Sequence, residues 1–481
     1  MQHIKHFIDG ELVDPASGSY LDNIEPATGA AYSFVADGDT EDVDRAVAAA
    51  VRAFPTWSVT PAEERSQILL KLAQLIENRL EDFARAESVD TGKPIAAART
   101  IDIPRAIKNF RFFATAILHF QSESHATDHV ALNYTLRRPR GVACLISPWN
   151  LPLYLFSWKV APALAVGNTA IGKPSELAPM TAFMLSELCE EAGIPPGVLN
   201  IVHGLGRKVG PALTEHPDIN TVSFTGGTAT GADIARRAGP TFKKLALELG
   251  GKNPNVIFAD ADLDAALEAA IRSAFSNQGQ VCLCGSRIFV EGAAYESFVD
   301  RFVAEVRKLR LGDPLAPDTQ QGALISREHR DKVLRYIELA SDDGGTIRCG
   351  GRAPNPVNDR CRDGFFVEPT VVTDLPVDSR VNREEIFGPV VTITPFETED
   401  EVVSYANDTD YGLSASLWTE NLSRAHRIAD RIACGTIWVN CWMLRDLRVP
   451  FGGMKHSGVG REGGEEALRF FTEPKNICVK L

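Results

Sequence analysis

Thr221–Gly231 reads TVSFTGGTATG, an apolar run of strand length that turns through Gly226 and Gly227 and passes into a helix. Glycines at such a turn let backbone N–H groups meet a pyrophosphate at the helix N-terminus. The spacing is not G-x-G-x-x-G, and taken alone a plain tight turn is the simpler reading. The surroundings decide the fold class. Further apolar strands read at Ala143–Ile146, Thr169–Gly172, Leu199–Val202 and Lys244–Leu247, with helices between them, one stopped by Gly193 and the Pro195–Pro196 pair. Strand and helix in alternation predict an α/β fold with a parallel, doubly wound sheet and a ligand beyond the carboxyl ends of its strands.

Downstream, a second series opens at Pro254–Phe258, with helices at Asp262–Asn277, Ala294–Lys308 and Arg327–Ser341, a loop-rich insertion at Gly344–Asp363, and helices at Asp400–Asn407 and Leu422–Ile432. It predicts a second α/β unit starting near Leu249. Upstream, residues 4–35 read as short strands of a hairpin layer, and Glu41–Phe54 as a helix. Thr60-Pro61-Ala62-Glu63 has the form of a capping box opening a long amphipathic helix that Gly92 and Pro94 end, and another helix spans Ile101–Phe120. Val130–Leu136 alternates with period two, a strand with one buried face, and Arg137, Arg138 and Arg140 read as a solvated loop. The tail Asn476–Leu481 is a short apolar strand, an exposed edge unless it pairs with the 127–137 strand of a neighbouring subunit.

At 481 residues the chain is too long for one simple core, so two or three domains are expected. A net charge of −13 argues against nucleic acid or an anionic membrane as the main partner, without forbidding an anionic substrate in a locally basic pocket. Nine cysteines scattered from Cys144 to Cys478 are too sparse for a disulfide scaffold. The one close pair, Cys282 and Cys284, is C-x-C with no second cluster to complete a zinc site, so no metal is expected. These features read as a reducing, cytoplasmic setting. MQHIKHFIDGELVD at the N-terminus has no apolar signal core, and no apolar run is long enough to predict a membrane span.

Phe275–Arg287, FSNQGQVCLCGSR, packs glycines, amides and two cysteines into one segment. A cysteine attacks a carbonyl only as thiolate, although most intracellular cysteines are simply small buried residues. This segment resembles the nucleophile segment of the NAD(P)-dependent aldehyde dehydrogenases. LELGGKNPNVIF at 247–258, SPWNLPLYLFSWKVAPALAVGNTAIGKPSE at 147–176, EEIFGPV at 384–390 and FGGMKHSGVGREGG at 451–464 resemble four further motifs of that family, in the family's order and across nearly the whole chain.

The resemblance implies Cys282 as nucleophile, the Asn150 side-chain amide as oxyanion donor and Glu248 as general base for thioester hydrolysis. Without it, Asn150 reads as a turn residue after Pro148–Trp149, and Glu248 as a strand-end carboxylate paired with Lys252. It implies an NAD cleft built from Ile146, Ser147, Pro148, Trp149, Lys173, Ser175, Glu176, Gly206, Phe224, Thr225, Gly226, Gly227, Gly231 and Leu249, with Glu385 and Phe387 at the nicotinamide end. Lys173 and Glu176 read alone as a surface ion pair; at a ribose, Glu176 would repel a 2′-phosphate and favour NAD over NADP. The implied division is an NAD-binding domain of 1–120 with 141–247, a catalytic domain of 248–447, and oligomerisation strands at 121–140 and 466–481 that make a homodimer or homotetramer.

Arg445 and Arg105 align with tunnel positions that family members usually fill with apolar residues, and two arginines facing one tunnel would select an aldehyde that also carries a carboxylate. Read alone, either arginine could equally point outward. Tyr154, Trp158 and Phe451 would form apolar walls. NCWMLRDLRVPFGG and NICVKL are similar to the branch acting on 2-aminomuconate and 2-hydroxymuconate semialdehydes in aromatic catabolism, with retinal or aliphatic aldehydes as an alternative. Two rivals are a binding protein that keeps the fold without catalysis, against which Cys282, Glu248 and Asn150 together argue, and a coenzyme A-acylating enzyme, which Glu248 disfavours.

Overall fold

A computed structural model describes residues 1–481. Its first sheet has five parallel strands in the order Lys244–Glu248, Ile219–Thr225, Val142–Ile146, Thr169–Lys173 and Leu199–Ile201. The order reverses between Val142–Ile146 and Ile219–Thr225, and such a switch opens a crevice at the carboxyl ends of the strands. Val142–Ile146 and Thr169–Lys173 are buried throughout, as parallel strands covered on both faces must be. Their alternation separates into two cores: Ala143 and Leu145 join a cluster with Phe156, Val160 and Leu164, while Val142, Cys144 and Ile146 join one with Val222, Phe224 and Leu249. Helix Pro152–Ala165 lies inside the first core and is apolar almost all round, as a helix with no solvent face must be. The hairpin His6–Ile8 and Glu11–Val13 extends one edge of the sheet, and Gly458–Val459 the other.

Leu249–Asn253 leads from this sheet into a second. It orders Thr346–Cys349, Thr370–Thr373, Val390–Phe396, Arg287–Glu291, Pro254–Ile257, Ser414–Trp418 and Thr436–Val439, all parallel except the first. Helices Leu263–Phe275 and Gly292–Val306 cover one face; Glu399–Asn407 and Leu422–Arg431 cover the other. No helix is long and apolar enough to cross a membrane.

Several expectations need correction. The tail pairs with its own chain: Thr472–Lys480 lies antiparallel to Ala131–Pro139, from Thr472 opposite Pro139 to Lys480 opposite Ala131. Asn168 explains this, because it accepts the N–H groups of Arg140 and Gly141 and donates to the carbonyl of Phe471, so both strands leave from one point. Residues 466–470 are not part of that strand but of helix Gly464–Phe470, which packs into the first core. Arg137 and Arg138 lie within the strand rather than a loop, and Arg140 pairs with Glu473. That strand buries only Ala131 fully, not a whole face. The Thr60 hydroxyl donates back to the Thr56 carbonyl, so no capping box forms and helix Ala62–Asn78 starts without a side-chain cap. The insertion after Gly344 contains strand Thr346–Cys349, and the helix expected over Ile101–Phe120 is a π-helical turn Ala98–Asp102 followed by helix Ile103–Ala116.

Candidate active site

A cleft of about 590 Å3 opens at the switch point. Ile146, Ser147, Pro148 and Trp149 line it from the end of one strand, Lys173, Ser175 and Glu176 from the next, and Phe224, Thr225, Gly226 and Gly227 from a third, with Gly206 at the start of helix Gly206–Glu215. The Lys173 ammonium donates to Glu176 at 2.7 Å and the Gly206 N–H donates to the same carboxylate at 3.1 Å. Burial opposes that charge, but the two donors outweigh it and hold Glu176 below the ordinary glutamate range. The buried hydroxyls of Ser147 and Thr225, both on the cleft wall, have no partner, and an orphaned buried hydroxyl calls for a polar ligand. Gly231 and Leu249 stand behind the wall: a Cβ on Gly231 would meet the Leu249 side chain at 2.5 Å, so glycine lets helix Thr228–Ala238 lie close to Leu249.

Glu385 and Phe387 do not line this cleft; Phe387 packs against Trp149 on its wall, and Glu385 lies against Gly250 and Gly251. Glu385 accepts the N–H of Gly251 at 2.9 Å, and burial raises its carboxyl pKa. Phe387 sits at φ +61° and packs edge-to-face with Trp149, the ring centroids 5.3 Å apart. His329, which the sequence did not single out, donates through Nε2 to the Phe387 carbonyl at 2.7 Å. Burial pulls that imidazole down to about 4, so it is neutral at neutral pH.

Cys282 is half-buried in the loop before strand Arg287–Glu291. Asn277, Gln278 and Gly279 are all left-handed, at φ +51°, +54° and +70°, a strain typical of functional turns. Asn253 pins the C-x-C segment by donating to the carbonyls of Cys282 at 2.7 Å and Cys284 at 2.9 Å. Asn150 donates to the carbonyl of Gln280 at 2.8 Å. A primary amide carries two N–H bonds, so one is left free there. Burial, with Glu385 and then Glu248 adding, pushes the Cys282 thiol up to about 12 against the pull of Arg445. Cys284 is buried and also raised to about 12, by burial first.

Glu248 ends the strand Lys244–Glu248 and is 5% exposed, with neither carboxylate oxygen hydrogen-bonded. Lys252 does not pair with it. Beneath it Lys159 donates to Glu462 at 2.8 Å and to Ser223 at 2.9 Å. Burial first, then the Glu462 carboxylate, raises the Glu248 pKa well above the usual range, with Lys159 and Arg445 opposing. A carboxylate that is unpaired, buried and shifted toward neutrality suits a general base.

A second cavity, of about 670 Å3, lies beside the nucleophile loop, reaching Asn277 and Val281. Arg105, Tyr154 and Arg445 line it; Trp158 and Phe451 stand behind Arg445, whose guanidinium lies 3.9 Å over the Phe451 ring and 5.9 Å from that of Trp158. Nε and Nη2 of Arg105 are buried without a partner, and its guanidinium lies 5.2 Å over Tyr154. Exposed Lys108 and Arg272 join the wall; sequence reading missed both, since a single cation on a helix face carries no signal of what it faces. Asn253, Lys159 and Glu462 were missed for the same reason: their roles lie in long-range contacts. No group of three or more His, Cys, Asp or Glu side chains is placed to hold a metal ion.

The aldehyde dehydrogenase family model matches residues 12–477. A 2-aminomuconic semialdehyde dehydrogenase of Danio rerio is 51% identical over 479 residues, covering 99% of this chain and 98% of that protein. A 2-hydroxymuconic semialdehyde dehydrogenase of Pseudomonas sp. strain CF600 is 47% identical over 487 residues, covering 100% of both. The NAD+ complex of an aldehyde dehydrogenase from Bacillus cereus superposes with a TM-score of 0.96 at 40% identity, covering 100% of this chain and 97% of that one. The chain belongs to the aldehyde dehydrogenase family.

Proposed function

We propose that the protein oxidises 2-aminomuconate 6-semialdehyde to 2-aminomuconate with NAD. The observation that carries the substrate class is the 670 Å3 cavity, where Arg105 and Arg445 meet no carboxylate and the orphaned Arg105 donors await an anion. A planar guanidinium binds carboxylate through paired hydrogen bonds, and a buried one without an anion is costly. The 2-hydroxy analogue carries the same carboxylate and is the second reading, favoured by the relative at 47% identity.

NAD fits the switch-point cleft: Glu176, Lys173 and the unpartnered hydroxyls of Ser147 and Thr225 offer polar contacts, and Phe387 packs against Trp149 on its wall, with Glu385 beyond. Bound there, the nicotinamide supplies a hydride acceptor. The residues do the rest. Cys282, as thiolate, adds to the aldehyde carbon, and the resulting alkoxide is met by the free Asn150 N–H and the Cys282 backbone N–H. After hydride leaves, Cys282 holds the acyl group as a thioester. Glu248 takes a proton from water, the hydroxide adds to the thioester carbonyl, and collapse releases carboxylate and the thiol.

Residues 1–120 with 141–247 form the NAD-binding unit and 248–447 the catalytic unit; the sheet of Ser124–Thr127, Ala131–Pro139 and Thr472–Lys480 presents exposed Leu132 and Val479 to a second copy, making a homodimer or homotetramer in the cytoplasm. The test is NADH formation with 2-aminomuconate semialdehyde, 2-hydroxymuconate semialdehyde, a neutral aliphatic aldehyde and retinal. Preference for the muconate semialdehydes is expected, with the amino compound first. Equal turnover of the neutral aldehydes would remove the role of the two arginines.

A further inference from the structure

Lys93 follows the left-handed helix stop Gly92 and is 0% exposed. Its ammonium is paired with Asp102, lies 3.5 Å from Glu87, and donates to the backbone carbonyl of Asn150 at 3.0 Å. Glu87 is 0% exposed and Asp102 3%. One cation therefore sits between two carboxylates in the protein interior and spends its remaining donor on Asn150. Buried ion pairs of this kind are seldom retained for stability, because desolvation offsets their attraction.

The surroundings fix Lys93 tightly. The Ser88 hydroxyl donates to the Lys93 carbonyl at 2.7 Å, and the Gly92 N–H donates to the Ser88 carbonyl at 2.9 Å. Asp102 closes the π-helical turn Ala98–Asp102, and such turns occur often at functional sites. From that turn Asp102 faces Lys93 and also lines the substrate cavity three residues before Arg105. On the other side the Asn150 carbonyl accepts a second bond, from the side chain of left-handed Asn277 at 3.0 Å. Asn150 is thus gripped through its backbone from the cavity wall and from the nucleophile loop, while its side chain reaches Gln280.

We infer that Lys93, held by Asp102 and Glu87, is a positioning residue that sets where the Asn150 amide meets the developing oxyanion. This rests on the reading of Asn150 as the oxyanion donor. A misplacement of about 1 Å at such a group can lower the rate on the order of 10²-fold.

The experiment is a double-mutant cycle on the NADH burst, at saturating NAD and 2-hydroxymuconate semialdehyde. Lys93→Met is combined with Asp102→Asn, which leaves Glu87, whose carboxyl pKa burial already raises, to take up a proton once its cation is gone, and measured with Asn150 intact and as Asn150→Ala. Asp102→Asn alone keeps an oxygen acceptor and the side-chain shape, and replaces the double variant in the same cycle if that one is insoluble. The expected result is a burst rate lower by on the order of 10²-fold with Asn150 present, at little changed KM for NAD, and no further loss once Asn150 is alanine. A loss of equal size in both backgrounds, or a fall in thermal stability with an unchanged burst, would overturn the positioning role. An Asn150→Ala enzyme with a normal burst would overturn the oxyanion reading itself, and this inference with it.

Discussion

The side chain of Asn150 and the backbone carbonyl of Gln280 are joined by a 2.8 Å hydrogen bond, which ties the loop after strand Val142–Ile146 to the loop that carries Cys282 two residues later. The bond fixes the plane of the amide and leaves its second N–H free. Removing one oxyanion donor typically lowers kcat by about 10²–10³. Asn150→Ala is expected to slow the NADH burst by that amount while the Kd for NAD, measured by fluorescence quenching, stays near that of the parent. A burst within twofold of the parent would take Asn150 out of the reaction.

Glu248 separates the two halves of the cycle. It is expected to act only after hydride has left, so Glu248→Gln should retain the burst and lose steady-state turnover by roughly 10²–10⁴-fold. Mass spectrometry of the quenched variant should find the acyl adduct on Cys282. The sign of the pH dependence follows from the raised pKa: the base works only when ionised, so turnover falls as pH drops through a value above the ordinary glutamate range. That acid limb should be present in the parent steady-state rate and missing from the burst of either enzyme.

Much of this site was legible because its parts are local in sequence. Strand–helix alternation around Thr221–Gly231 specifies the parallel sheet, and the residues just beyond Ile146, Lys173 and Phe224 line the cleft because carboxyl ends of parallel strands converge at a switch point. What was not legible depends on distant partners. Nothing in DTGKP at 90–94 says that Lys93 reaches Asn150, 57 residues on, nor does Asn253 announce that it pins the carbonyls of Cys282 and Cys284. The tail failed differently: its apolar pattern correctly demanded a partner strand, but only the branch point at Asn168 decides that Ala131–Pro139 of the same chain supplies it.

The thiol of Cys282 is protonated at neutral pH before ligands bind, since burial and the nearby carboxylates raise it to about 12. Only thiolate reacts with iodoacetamide, so labelling should be slow and should rise with pH. Glu385→Gln removes a negative charge that disfavours the thiolate and is expected to move the labelling midpoint to lower pH. Arg445→Met removes a positive charge that favours it and should move the midpoint upward. Peptide mapping identifies the labelled residue; two variants shifting in the same direction would refute this electrostatic account.

Arg105 and Arg445 face the cavity that reaches the nucleophile loop, and the buried Arg105 Nε and Nη2 have no partner in the protein. A hydrogen bond to a charged group contributes about 1.5–3 kcal/mol, which is roughly 10–150-fold in affinity. Arg105→Ala and Arg445→Ala are each expected to raise KM for 2-hydroxymuconate semialdehyde by that factor with smaller changes in kcat, because the carboxylate is held equally in ground and transition states. A neutral aliphatic aldehyde should show little change, since it offers the guanidinium nothing to bind. Arg105→Lys keeps the charge but loses the planar fork, and is expected to recover only part of the affinity. Steady-state kinetics on both substrates decides the matter: a rise in KM shared by acidic and neutral aldehydes would mean that the arginines shape the cavity without reading the carboxylate.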